Sequence, residues 1–177
     1  MTNKLGLIYE GKAKKIYAHK EEDKVIIEFK DDATAFNALK KAKFEGKGRL
    51  NCLISAKLFE FLIKKNIFTH YLGLDCDNVM IARKIKIIPL EFVLRNKAYG
   101  SLCKQTTIKS GTILESPLID IYLKNDSLND PLLTKDRIKL LNLINEKDLE
   151  FIINQTLKIN KLLKLSLIHI SEPTRQL

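Results

Sequence analysis

The stretch PLEFVLRNKAYGSL, residues 89–102, changes character halfway, and the rest of the chain is best understood from it. Residues 85–94 (IKIIPLEFVL) form a nearly unbroken apolar run rich in β-branched residues, which predicts a strand buried on both faces. Arg95 follows this run, and Ser101 comes shortly after a glycine. A guanidinium, a glycine that lets the backbone approach closely and a hydroxyl at a predicted helix start are suited to holding a phosphate. The carboxylate of Glu91 lies inside the apolar run and needs a partner or a ligand.

Composition limits the class of protein. The 177 residues suffice for one ordinary domain or for two small lobes sharing a cleft, and 45% hydrophobic with 29% charged residues is typical of a globular chain. No stretch reaches the roughly 18 apolar residues of a membrane span, and the N-terminus lacks a signal-peptide core. We therefore expect a cytoplasmic protein with no membrane partner. Cys52, Cys76 and Cys103 are never in CxxC spacing, which predicts reduced thiols and no zinc site.

The formal net charge is +10, from 31 Lys+Arg against 21 Asp+Glu. Such an excess suits nucleic acid or anionic small molecules, and charge alone does not separate the two. The lysines are spread along the chain, and no recognition helix, zinc finger or RNA-binding aromatic motif appears. We therefore expect anionic small molecules and no nucleic acid, while a basic nucleic-acid-binding module stays the alternative from another class.

Residues 5–30 alternate in polarity, which predicts short antiparallel strands. The phrase YEGKAKKIY, residues 9–17, places Gly11 between two of them and beside Lys12 and Lys14. In one interpretation the backbone N–H groups and lysines of this turn lie over a polyphosphate. In the other, the segment is a hairpin whose solvated lysines block strand addition. Spacing alone favours the second interpretation, because no Walker or GxGxxG pattern is present.

Two polar segments follow the strands. In DDATAFNALK, residues 31–40, the paired acids and Asn37 predict a loop able to offer oxygen ligands or hold a substrate amine. The acids can equally be turn and capping residues. In FEGKGRLN, residues 44–51, two glycines bracket Lys47 just before a helix, which is how an anion site at a helix N-terminus is built.

The helix after this segment is the clearest in the sequence, and Asn66 can close it. Its apolar residues recur at helical spacing and are expected to form the core face: Leu50, Leu53, Ile54, Leu58, Phe61 and Leu62.

The remainder of the chain is predicted to continue as α+β structure. The elements expected in order are strands at 67–72 and 79–82, the buried run, a short helix from Ser101, a strand at 117–124, a polar loop at 125–131 and amphipathic helices at 134–144 and 145 to about 164. Asp126 and Asp130 in that loop are candidates for binding a cation or orienting a substrate, although Asp-Pro turns are common structural stops.

The last residues break the pattern. LSLIHISEPTR, residues 165–175, resembles the in-frame translation of an adapter used to prepare sequencing libraries. We therefore expect native sequence to stop near Lys164 and leave residues 165–177 out of fold and function reasoning as a non-native tail. A genuine frayed C-terminus is the alternative.

Five motifs together carry a family resemblance. YEGKAKKIY, DDATAFNALK, FEGKGRLN, PLEFVLRNKAYGSL and YLKNDSLNDP, in this order, resemble the N-terminal two thirds of the phosphoribosylaminoimidazole-succinocarboxamide synthase (SAICAR synthetase) family of purine biosynthesis. The resemblance covers about residues 5–164. It implies an α+β fold in which a small antiparallel β lobe like that of protein kinases covers ATP. The implied domains are an ATP-binding β lobe with one helix at 1–83 and a larger substrate-binding α+β part, incomplete here, at 84–164.

The resemblance also implies a reaction. It is the ATP-dependent ligation of carboxyaminoimidazole ribonucleotide (CAIR) with L-aspartate, giving SAICAR, ADP and phosphate, with Mg²⁺. Carried over to this sequence, the ATP-binding residues are Lys12, Ala13, Lys14, Arg83, Lys84, Ile87 and Glu91. The residues implied for binding substrate are Arg95 and Ser101 at its 5′-phosphate, with Asn37 and Lys47. Lys124 and Asp130 are implied as catalytic residues beside the imidazole carboxylate and the incoming amine.

The chemistry of such a ligase suits these residue types. Making an amide from a carboxylate requires an oxygen to become a leaving group, most simply as an acyl phosphate that the aspartate amine attacks. Phosphoryl transfer depends mainly on positioning and charge neutralisation, which lysines, Mg²⁺ and backbone donors supply. All three substrates are anionic, so the basic charge has a use. A kinase-like phosphotransferase sharing the ATP lobe is a further alternative.

The family's later motifs, which resemble DFKLEFG and DEISPD and carry the carboxylates for Mg²⁺, do not occur in this sequence. We therefore expect no metal site in this chain and an inactive fragment of an active enzyme. The sequence leaves a homo-oligomer open.

Overall fold

The structure, a computed structural model, describes residues 3–35 and 40–171. The chain divides into two compact units, Met1–Lys86 and Ile87–Leu177. The division falls three residues after position 83, where the sequence suggested a boundary. Each unit has an apolar core of its own.

The first unit is built on a five-stranded antiparallel sheet of order β1-β2-β3-β7-β6. The strands of this sheet are β1 (Lys4–Glu10), β2 (Lys14–His19), β3 (Lys24–Phe29), β6 (Tyr71–Cys76) and β7 (Val79–Arg83). Two further strands of the unit, β4 (Asp32–Ala35) and β5 (Lys40–Lys43), pair with each other in a separate sheet. The alternation along residues 5–30 is confirmed as β1 to β3. The strand expected at 67–72 is wrong in its start, because β6 begins only at Tyr71.

Residues 31–40 do not form the single polar loop that the sequence suggested. Strands β4 and β5 make an antiparallel hairpin in which Asp32 lies opposite Lys43 and Ala35 lies opposite Lys40. Asn37, one of the predicted substrate-binding residues, lies outside the described residues. The register leaves four residues, 36–39, to connect the two strands.

Helix α1 (Lys47–Lys64) packs on one face of the five-stranded sheet. Asn66 was predicted to close this helix, and it follows the helix in the left-handed conformation with φ 56°. The expected core face is wrong. Its exposed fractions are 60% for Leu50 and 49% for Ile54, whereas the buried residues of the helix are small: Gly48, Cys52 and Ala56. Small side chains allow the helix backbone to lie close against the sheet, so they replace the large apolar residues at the contact.

The second unit pairs β8 (Leu90–Lys97) with β9 (Ile113–Leu123) in an antiparallel hairpin. The connection contains α2 (Ser101–Gln105), and β9 is followed by a 3₁₀ turn (Asp126–Leu128), α3 (Lys135–Leu140) and α4 (Glu146–Ser171). The two predicted C-terminal helices are confirmed in position but not in length: α3 ends at Leu140, before the predicted 144, and α4 continues to Ser171, past the predicted end near Lys164 and into the segment expected to be a non-native tail. Buried side chains from β9, from both helices and from the segment before α3 form its core: Ile121, Leu133, Ile138 and Leu149.

The prediction of a strand at 85–94 buried on both faces is wrong. Ile85 and Ile87 are 57% and 75% exposed and lie outside any strand, and β8 begins at Leu90. Pro89 precedes it and has no N–H to give to a ladder. No helix within the described residues is long and apolar enough to cross a membrane. All three cysteines are free; Cys52 is buried, whereas Cys76 is exposed.

Candidate functional site

The β8–β9 hairpin separates chemistry from packing. Residues directly opposite in an antiparallel pair share a face, and alternate residues along a strand return to that face. Glu91 lies opposite Tyr122, and Val93 lies opposite Asp120. One face therefore presents a row of polar residues, while the alternate positions pack into the core. The polar row consists of Glu91, Arg95, Asp120, Tyr122 and, just after β9, Lys124.

Four residues of this row and its neighbourhood form the Arg95 cluster: Arg95, Ser101, Asp120 and Tyr122. Arg95 Nε donates to Asp120 Oδ2 at 2.7 Å, and Nη2 donates to Ser101 Oγ at 2.9 Å and to the Tyr122 hydroxyl at 3.2 Å. The side chains of the ion pair are only 15% and 12% exposed. The hydrogen bond that Arg95 donates to Asp120 raises the pKa of Arg95, so the guanidinium is held as a fixed cation.

The Arg95 cluster retains donors for a further acceptor. Nη1 donates to the backbone oxygen of Tyr99 at 3.1 Å, so four of the five guanidinium N–H groups have acceptors among the described residues and one on Nη1 is left over. Ser101 opens α2 directly after Gly100, whose φ of 62° is readily adopted only by glycine. The turn brings the Ser101 hydroxyl to 3.0 Å from that of Tyr122.

A second group, the Lys124 cluster, lies at the other end of the row and contains Glu91, Lys124 and Asp130. Lys124 Nζ lies 2.7 Å from Asp130 Oδ2 and 3.4 Å from Glu91 Oε2. Asp130 Oδ1 also accepts the backbone N–H of Asn125 at 2.8 Å, which fixes the loop that carries it. The hydrogen bond that Lys124 donates to Asp130 raises the pKa of Lys124, and Glu91 adds to the effect, so the amine stays protonated at neutral pH.

The two clusters lie along the same strand pair. Lys124 follows Asp120 by four residues, about 13 Å of extended chain. One face of the second unit thus offers a guanidinium–hydroxyl pair at one end and an ammonium at the other. Each cation keeps a carboxylate partner: Asp120 for Arg95, and Asp130 with Glu91 for Lys124.

The first unit presents the predicted lysine turn. Gly11 N donates to the oxygen of Lys14 at 2.9 Å, and the residues of the turn, Lys12 and Ala13 among them, are exposed. The Lys14 ammonium lies 4.6 Å from the centre of the Phe29 ring. The turn is therefore a tight β-hairpin with two exposed lysines, Lys12 and Lys14, a geometry open to either interpretation of the sequence.

The chain was also compared with known protein families. The sequence model of the SAICAR synthetase family matches residues 7–168. The chain belongs to the SAICAR synthetase family. The match includes all five motifs from which the resemblance was predicted, and it spans residues of both structural units.

Individual SAICAR synthetases agree with this assignment. A phosphoribosylaminoimidazole-succinocarboxamide synthase of Prochlorococcus marinus subsp. pastoris (strain CCMP1986 / NIES-2087 / MED4) is 78% identical over 164 residues, 93% of this chain and 68% of that protein. Another, of Prochlorococcus marinus strain NATL1A, is 55% identical over 158 residues, 89% of this chain and 64% of that protein. The solved structure of a SAICAR synthetase (type 2) in complex with ADP has a TM-score of 0.86 and 42% identity, covering 91% of this chain and 68% of that one. The chain thus spans about two thirds of the length of these relatives.

Within the SAICAR synthetase fold, the residues predicted to bind ATP lie in several places. Lys14 pairs with Phe29, and Arg83 pairs with Lys24, five residues away along β3, so the lysine turn and the Arg83–Lys84 end lie about 17 Å apart along the sheet. An extended nucleoside triphosphate can bridge such a length. Ile87 belongs to the second unit. Glu91 is found in the Lys124 cluster, and its predicted contact with adenine stays a prediction.

The anion site predicted at the start of α1 is filled by the protein itself. Asp31 Oδ1 accepts the N–H of Gly48 at 2.8 Å, which confirms the capping interpretation of that acid. Lys47 Nζ donates to the backbone oxygen of Asp32 at 2.7 Å. An external anion at this helix end would have to displace a carboxylate, so the predicted role of Lys47 toward substrate rests on the family resemblance alone.

Asp120 and Tyr122 are the functional residues that sequence reasoning missed. A signal was present in PLIDIYLK, residues 117–124, where polar residues alternate with isoleucine and leucine and so share one strand face.

Among residues 3–35 and 40–171, no group of three or more His, Cys, Asp or Glu lies together in a way that could hold a metal ion.

Proposed function

We propose that this protein takes part in the ATP-dependent ligation of CAIR with L-aspartate to give SAICAR, ADP and phosphate in purine biosynthesis. The chain supplies the ATP-binding sheet and the face that binds the nucleotide substrate. Family membership sets the class of reaction, and the polar face of β8–β9 is the observation that carries the assignment of residues.

The two clusters match the two ends of CAIR. Arg95 and Ser101 bind its 5′-phosphate, for which a guanidinium N–H and a rotatable hydroxyl are suitable donors. Lys124 binds the imidazole carboxylate, since its amine stays charged. Small-molecule substrates with this charge pattern account for the basic balance of the chain.

The reaction proceeds in two steps with balanced atoms. A carboxylate oxygen of CAIR attacks the terminal phosphorus of ATP and ADP leaves, which gives an acyl phosphate. The aspartate amine then attacks the acyl carbon, the C–N bond forms, and phosphate departs with the original carboxylate oxygen. Lys124 neutralises the carboxylate in both steps. Asp130, which already accepts the Lys124 ammonium at 2.7 Å, has the charge needed to orient the incoming amine and receive its proton.

The ATP set lies chiefly in the first unit. Lys12, Ala13 and Lys14 lie against the phosphates, and Arg83 and Lys84 lie toward the adenine, as the family resemblance implies. Asn37 and Lys47 complete the proposed substrate set. Mg²⁺ would neutralise phosphate charge during transfer. The carboxylates of the described residues do not gather into a site for it, so we assign no step of the reaction to the metal through this chain.

A cytosolic setting is part of the proposal. Three free cysteines, of which Cys76 is exposed, suit a reducing compartment. Self-association stays a prediction.

The test uses a chimera in which residues 1–164 of this chain replace the matching part of the 78% identical Prochlorococcus relative. We expect SAICAR to form only when ATP, CAIR and L-aspartate are all present. Release of ADP with no loss of aspartate would identify a kinase-like phosphotransferase instead. Binding of random oligonucleotides that weakens steeply with salt, without ADP release, would identify a nucleic-acid-binding module.

A further inference from the structure

We propose that Tyr122, supported by Asp120, is a positioning residue for the substrate phosphate: its hydroxyl holds the Arg95 guanidinium and the Ser101 hydroxyl in one orientation. The inference rests on the proposed function, because it takes Arg95 and Ser101 as the pair that binds the phosphate. It extends that pair by a tyrosine and an aspartate from β9.

The proton count of the cluster supports this role. The Tyr122 hydroxyl donates to Asp120 Oδ2 at 3.3 Å. A hydroxyl has a single proton, so the same oxygen accepts from Arg95 Nη2 at 3.2 Å and from Ser101 Oγ at 3.0 Å. Arg95 Nε also donates to Asp120, so the carboxylate fixes the direction of both donors.

The same count shows how a phosphate is accepted. The Ser101 proton points to Tyr122 and can rotate to a phosphate oxygen while Ser101 Oγ keeps the bond from Arg95 Nη2. The unused Nη1 N–H of Arg95 lies on the same guanidinium plane and supplies a second donor. No bond that holds Arg95 has to break. Tyr122 therefore serves as the resting partner of Ser101 and as a permanent partner of Arg95.

Loss of the Tyr122 hydroxyl would remove one of the four hydrogen bonds that orient the guanidinium. Arg95 Nη2 would lose one acceptor, Ser101 would lose its resting partner, and Asp120 would keep only the bond from Nε. Recognition of a phosphate by arginine depends on a fixed planar fork and not on charge alone. The side chain of Arg95 is only 15% exposed, so water does not readily replace the missing partner.

The experiment is calorimetric titration of the 177-residue chain with CAIR and with its riboside, which lacks the 5′-phosphate. The dissociation constant of the riboside divided by that of CAIR gives a ratio that isolates the phosphate contact. We expect Tyr122→Phe to lower this ratio about tenfold, the size of one hydrogen bond to a charged group. Tyr17→Phe, a matched change at a half-buried tyrosine of β2, is expected to leave it within about twofold.

The outcomes separate this inference from the proposed function. If wild-type protein and Tyr122→Phe prefer CAIR over the riboside equally, the positioning role is overturned and the proposed function stands. If the wild type binds both compounds equally, the phosphate-binding pair is wrong and the inference falls with it.

A second variant covers failure of Tyr122→Phe to fold. Arg95→Lys keeps the charge but cannot make the four bonds, so we expect a fall in the ratio of about tenfold as well. A wild-type ratio for Arg95→Lys would overturn the inference, because charge without orientation would then suffice. Where both variants fold, adding Tyr122→Phe to Arg95→Lys should lower the ratio by less than about twofold more. A full additional tenfold loss would also contradict the inference, because Tyr122 would then act independently of Arg95.

Discussion

Gly48→Ala tests the close contact between α1 and the sheet of the first unit. A Cβ at this position would lie 2.5 Å from the backbone oxygen of Phe29 and 2.9 Å from its carbonyl carbon. Ordinary contact begins near 3.4 Å, so the helix must move by about 0.9 Å. The atoms in the way are backbone and cannot rotate aside. Movement would also loosen Cys52 and Ala56, which are fully buried against the sheet.

The magnitude follows from two opposing terms. Overpacking against an unyielding neighbour costs about 3 kcal/mol. Alanine is favoured over glycine in a helix by about 1 kcal/mol, which leaves a net loss of about 2 kcal/mol. Urea denaturation followed by circular dichroism measures the free energy of unfolding. Gly6→Ala is the matched control, since no atom lies within 4 Å of its added Cβ, and it should change stability by less than about 0.5 kcal/mol. Equal stability of the two variants would refute the close contact.

Three further outcomes are expected. Burial raises the pKa of the Cys52 thiol to about 11, so iodoacetamide at pH 8 should alkylate the exposed Cys76 and spare Cys52 until the chain unfolds. Mass spectrometry that finds Cys52 modified in folded protein would contradict this burial. Burial lowers the pKa of His70 below its ordinary 6.5, so the unfolded chain binds the proton first and stability should be lost as pH falls below about 6.5. Urea denaturation at pH 7.5 and 5.5 should show a smaller loss of stability for His70→Asn than for the wild type, and an equal loss would exclude His70 as its source. In the chimera, Lys124→Met should lower kcat about a hundredfold, whereas Lys147→Met, which replaces an exposed lysine of the same unit, should have no effect. Similar rates for both variants would show that Lys124 takes no part in the reaction.

The strands and helices that the sequence predicted correctly are those with strong local signals. Alternation along residues 5–30 gave the first three strands their positions, because each residue pair repeats the pleat of a half-buried sheet. The C-terminal helices were predictable from their amphipathic pattern, and the structure adds a polar cap at the start of each. Thr134 accepts the N–H of Arg137, and Asn145 accepts that of Asp148, which are ordinary capping bonds.

The face of α1 was not predictable from the periodicity of large apolar residues. Leu50 and Ile54 have helical spacing but are exposed, and the buried stripe begins at Gly48. Small residues give no hydrophobic signal, and their use depends on how closely a distant strand approaches. The apolar run at 85–94 misled for a related reason, since its first half lies outside the strands and is exposed.

The candidate site divides along the same line. Arg95, Ser101, Lys124 and Asp130 were identified because each belongs to a motif that resembles a family. The contacts of Arg95 with residues of β9 could not be predicted, because the hydrogen bond from Arg95 to Asp120 joins residues 25 apart in sequence and depends on strand register. Side-chain alternation indicates a shared face, but pairing of two strands has to be known before the contacts can be named.

The central claim is that the Arg95 cluster binds the phosphate of CAIR while ATP binds elsewhere in the chain. The most direct measurement titrates wild-type protein and Arg95→Ala with CAIR and with ATP in parallel. We predict that the substitution weakens CAIR binding by more than about tenfold, the loss of a charge-assisted contact, and leaves ATP binding within about twofold, which also shows that the variant is folded. Equal losses for the two ligands, or no loss for CAIR, would contradict the claim.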